Sequence, residues 1–78
     1  MIIFFSQRDG DEDWKRIGEL QIFKVTQEFV AGPLSGLCAH IAEEEMERTG
    51  KRTYVKAVMP GPERLLLHHD TLEPIVMR

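Results

Sequence analysis

Between Gly32 and Gly50 (GPLSGLCAHIAEEEMERTG), apolar residues fall at helical spacing. Leu34, Leu37, Cys38, Ile41 and Ala42 recur every three or four positions, which places them on one face. This predicts an amphipathic helix over 32–50 whose apolar stripe covers a sheet. Pro33 suits a first turn, where the missing N–H is not needed, and Gly50 suits the left-handed position that closes a helix.

Elsewhere the pattern is that of strands. Residues 2–5 are β-branched and aromatic without charge, and predict a short strand buried on both faces. From Glu19 to Val30 the chain alternates. Phe23, Val25 and Phe29 share one side with Gln21 and Gln27, and Leu20, Ile22, Lys24, Thr26 and Glu28 share the other. A long half-exposed strand is predicted there, with Gly18 marking a bulge at its start. Lys51–Met59 reads as the next strand, with Thr53, Val55, Ala57 and Met59 toward the helix and Arg52, Tyr54, Lys56 and Val58 away from it. Pro60-Gly61-Pro62-Glu63 is a turn, so Arg64–His69 closes a hairpin that Asp70 and Thr71 break. Leu72–Met77 reads as a last short strand, confined to an edge by Pro74.

The order ββαββ, with that fifth strand in addition, predicts an α+β fold. Its two layers are one antiparallel or mixed sheet of four to five strands and one helix packed across one face. Residues 1–78 form a single domain, with no repeat, linker or low-complexity tract. Seventy-eight residues lie near the lower limit for a self-sufficient core, so exposed sheet edges leave a homodimer open. One cysteine excludes an internal disulfide and fits a reducing compartment. The apolar run at residues 1–5 is too short for a signal peptide, and no stretch approaches a membrane span. The expectation is a cytoplasmic protein without a membrane partner.

Charge narrows the picture. The net charge is −3 and the isoelectric point about 5.5, against the basic excess of a dedicated nucleic-acid binder. Eight of the 13 acids fall in two clusters. Asp9, Asp11, Glu12 and Asp13 sit in the polar stretch 6–15; Glu43, Glu44, Glu45 and Glu47 crowd the C-terminal half of the helix. There they oppose the helix dipole by roughly 0.3–1 kcal/mol each. Glu44 to Arg48 and Glu47 to Lys51 have the four-residue spacing that recovers about 0.2–0.5 kcal/mol per pair. Each cluster reads either as a solvated surface or as a contact for a basic partner.

Specific chemistry finds little support. Asp9, Asp11 and Asp13 match the first three ligand positions of a calcium loop, but Trp14 stands where that loop needs glycine and Leu20 where it needs glutamate. His68 and His69 point to opposite faces of a strand and cannot share a metal from there. Cys38 and His40 are two residues apart on a helix and do not share a face, and Cys38 lies in the apolar stripe. No enzyme, metal or cofactor is expected. Trp14 either folds back onto the core or serves as a contact residue. Lys24, Arg52, Tyr54 and Lys56 share the open sheet face in this reading, an arrangement that suits single-stranded nucleic acid.

A chain this short, which starts in a buried strand, carries one helix and shows acidic clusters, resembles the small proteins that bacteriophages make to inhibit host machinery, including anti-CRISPR proteins. That resemblance implies a protein-binding inhibitor or adaptor that occupies a basic surface on a larger complex. Asp9, Asp11, Glu12, Asp13, Glu43, Glu44 and Glu47 would be its contacts, with Trp14 beside them. The alternative is a nucleic-acid module using the open sheet face.

Overall fold

The structure is a computed structural model that describes residues 1–71. Four strands, β1 (Ile2–Arg8), β2 (Lys15–Leu20), β3 (Thr53–Met59) and β4 (Arg64–Asp70), form one antiparallel sheet in the order β2-β1-β3-β4. A helical segment connects β2 to β3. It comprises one turn α1 (Gln27–Phe29), a wider π-type turn (Val30–Leu34) and the long helix α2 (Ser35–Thr49). β2 and β3 both run antiparallel to β1, which lies between them, so they run parallel to each other. The connection must therefore pass over β1, and this lays the helix across one face of the sheet.

The core is the seam between them. Ile2 and Phe4 from β1 and Val55 and Ala57 from β3 meet Leu34, Cys38 and Ala42 from the helix. Leu34, Cys38 and Ala42 recur every four residues, and buried Met46 continues the row. Two expected members of the stripe sit at its margin: Ile41 is partly buried and Leu37 is 37% exposed. α2 ends at Gly50, whose φ of 71° is the left-handed cap predicted from the sequence, and its N–H reaches the Met46 carbonyl at 2.7 Å.

The α+β architecture is as predicted, as are the third and fourth strands and the turn between them, which contains a cis Gly61–Pro62 peptide. The long strand over residues 19–30 is not formed. β2 is shorter and earlier, residues 21–26 lie in no strand, and Phe23 is fully exposed. Helix begins at Gln27 because the Thr26 hydroxyl accepts from the Phe29 N–H at 3.1 Å, with Glu28 at the positive end of the dipole. Pro33 consequently lies inside the helical run, in the π-type turn, instead of at its first position. β1 is longer than expected and reaches Arg8, and β4 includes Asp70. The predicted strand over 72–77 lies outside the described residues.

Both edge strands carry a bulge. Phe4 opposes Gly18 and Phe5 opposes Arg16, which leaves Ile17 as the extra residue beside the predicted Gly18. Ala57 opposes Leu67 and Val58 opposes Leu65, so Leu66 is the extra residue of β4. At the far end of β4, Thr71 ties the sheet closed. Its N–H donates to the Thr53 carbonyl at 3.1 Å, and its hydroxyl both accepts from the Thr53 N–H at 2.8 Å and donates to the same carbonyl. Thr71→Val keeps the shape but strands the buried Thr53 N–H. It should lower unfolding stability by about 1–3 kcal/mol, seen as a lower urea midpoint at unchanged m-value.

Candidate functional site

Side chains that alternate with the core residues point to the other face of the sheet. Strand pairing assigns Phe5 and Gln7 of β1, Tyr54 and Lys56 of β3, His68 and Asp70 of β4, and Arg16 and Glu19 of β2 to this outer face. Phe5 pairs directly with Lys56, Gln7 with Tyr54, Lys56 with His68 and Tyr54 with Asp70. The same pairing puts buried Ile3 and Val58 on this face, and no helix packs here among the described residues.

Trp14 completes the cluster. It belongs to the loop before β2, yet its ring lies half-buried over the outer face. The Lys56 Nζ sits 4.5 Å from the Trp14 ring centroid and 5.5 Å from that of Phe5. Each such contact contributes about 0.5–1 kcal/mol when exposed and more when desolvated. His68 meets Trp14 edge to face at 5.8 Å between ring centroids and lies 6.1 Å from Tyr54. The Arg52 guanidinium stands 5.4 Å from the Tyr54 ring centroid and makes a two-point ion pair with Asp70, its Nε donating to Oδ1 at 2.8 Å. This pair, with its hydrogen bonds, holds the Asp70 carboxyl below its ordinary value of 3.8 and raises the Arg52 guanidinium further.

The acidic loop is attached to the same face. Gln7 Nε2 donates to the carbonyls of Asp11 and Glu12 at 3.1 and 3.2 Å, and the Asp9 N–H donates to the Arg52 carbonyl at 2.8 Å. Asp9, Asp11, Glu12 and Asp13 are all exposed, and Asp11 is paired with Arg8 at 3.5 Å. The loop therefore forms an acidic rim beside Trp14.

The structure regroups the residues read from the sequence. Arg52, Tyr54 and Lys56 share the outer face as expected, but Lys24 does not join them because its segment forms no strand. Glu43, Glu44 and Glu47 are exposed on α2, in the layer on the opposite side of the sheet. Glu44 pairs with His40 at 3.0 Å and Arg48 with Glu45 at 2.5 Å, so the predicted Glu44–Arg48 pair is replaced by these two. Phe5, Gln7 and His68 are members that sequence reasoning missed. For Phe5 and Gln7 the period-two alternation of β1 was the available signal, hidden by reading residues 2–5 as uniformly buried.

His69 opposes Val55 on the inner face while His68 lies on the outer, so the two part as expected. Cys38 is fully buried, and burial pushes its thiol up to about 11, so it stays protonated near neutrality, as an inert packing residue would. Comparisons with protein-family models, curated proteins and solved structures find no match to this chain.

The Arg52–Asp70 pair predicts a pH dependence with a definite sign. The folded-state pKa of Asp70 lies below its unfolded value. Its contribution is therefore present above that unfolded value and is lost as pH falls through the folded one. Thermal unfolding followed from pH 6 down to the acid limb should show a shallower fall in Tm for Asp70→Asn than for the unaltered chain, with a small difference because the pair is partly exposed.

Proposed function

We propose that this chain is a small protein-binding module, an inhibitor or adaptor, that meets its partner through the outer face of the sheet. The supporting observation is the gathering of Trp14 and Phe5 around Lys56, with Tyr54 joined to them through His68 and the acidic loop held along the edge by Gln7. Trp, Tyr and Arg are the residue types that carry most binding energy at protein interfaces. Their mutual contacts hold them in place before binding, so little side-chain freedom remains to be lost. The exposed Asp9–Asp13 rim favours a partner that is basic around its contact patch and speeds the encounter.

The charge arrangement favours a protein over single-stranded nucleic acid as the ligand of this face. Of its cations, Arg16 is paired with Glu19 and Arg52 with Asp70, which leaves Lys56 without a carboxylate partner among the described residues. Each phosphate neutralised on a single strand contributes a slope of roughly −0.7 in log affinity against log salt. One available lysine beside four loop carboxylates supports only weak binding of a polyanion. Glu43, Glu44 and Glu47 face away from this surface and would remain solvated in the complex.

Affinity capture from a bacterial lysate with nuclease present, read by mass spectrometry, tests the reading. A stoichiometric protein partner should be recovered, lost with Trp14→Ala and with the combined reversal of Asp11, Glu12 and Asp13 to lysine, and retained when Glu43, Glu44 and Glu47 are reversed. Loss on the helix reversal with retention in Trp14→Ala would overturn the assignment of the face. Recovery only in the absence of nuclease would replace the partner class with nucleic acid.

A further inference from the structure

A second recess lies on another part of the molecule. It is a groove of about 360 Å³ between the helical entry segment and β4, at the lower end of the roughly 300–1,000 Å³ typical of ligand clefts. Val25, Val30 and Ala31 line one wall, and Leu65, Leu66 and Leu67 the other. Arg64 stands at one end.

We propose that this groove docks an extended peptide segment whose apolar side chains enter it and whose acidic side chain meets Arg64. Three observations point to that occupant. Among the described residues β4 is an edge strand of the sheet, the kind of position at which an extended peptide adds by main-chain pairing. The bulge at Leu66 brings Leu66 and Leu67 together against the core side, giving the groove two adjacent leucines where a regular strand would present one. Arg64 is exposed, and its guanidinium rests 3.2 Å from the Met59 sulfur, a weak acceptor, with no carboxylate partner among the described residues. A carboxylate is the group that completes it.

Selection of a displayed library of random linear peptides on the immobilised protein tests the proposal. Enriched peptides should alternate apolar residues and carry one Asp or Glu. Ala31→Trp, which fills the groove from an exposed position, should abolish their binding. Arg64→Glu should weaken them about tenfold and should itself select peptides with Lys or Arg in place of the acid. Circular dichroism verifies that both variants are folded. No enrichment, enriched sequences without an acid, or binding that survives both substitutions would overturn the proposal. Trp14→Ala should leave the selection unchanged, which separates this site from the outer face.

Discussion

One helix can cover only one face of a four-stranded sheet. Here the covered face is closed by the seam of Leu34, Cys38 and Ala42 against Ile2, Phe4, Val55 and Ala57. The small side chains at Cys38, Ala42 and Ala57 leave room for α2 to lie close to the central strands. The opposite face has no such layer among the described residues, and aromatic and long polar side chains lean on one another across part of it. Lys56 serves as their hub, between the rings of Trp14 and Phe5. The surface proposed for partner binding follows from that shortage of covering structure, since half-buried aromatics grouped on one side are what a partner can finish burying.

The fold was legible where one period dominated. The hairpin of β3 and β4 follows from alternation interrupted by a Pro-Gly-Pro turn, and the helix from its apolar spacing and the closing Gly50. Residues 19–30 misled because two signals compete there. Alternation of Phe23, Val25 and Phe29 suggests a strand, but the Thr26 hydroxyl and Glu28 satisfy a helix start, and a cap of this kind contributes about 1 kcal/mol locally. Once Thr26 caps the helix, Phe23 belongs to neither element and is left in solvent.

The candidate surface was legible only in part. Tyr54 and Lys56 belong to a single strand and Arg52 immediately precedes it, so alternation was sufficient to group them. Phe5, Trp14 and His68 join them through strand order and through a loop held by Gln7, neither of which local pattern encodes. The same limit affected the acids. In sequence the two clusters look equivalent, whereas the strand pairing puts one along the outer face and the helix packing puts the other on the opposite side. Trp14, read as either a core cap or a contact, covers the outer face of the sheet and stays outside the buried cluster.

Contact at the outer face is tested most directly by hydrogen exchange on the captured complex. Complex formation should slow amide exchange across residues 9–14, the loop that carries the acidic rim and Trp14, and leave Glu43–Glu47 of α2 unchanged. Slowed exchange over Glu43–Glu47, with 9–14 exchanging as in the free protein, would contradict it.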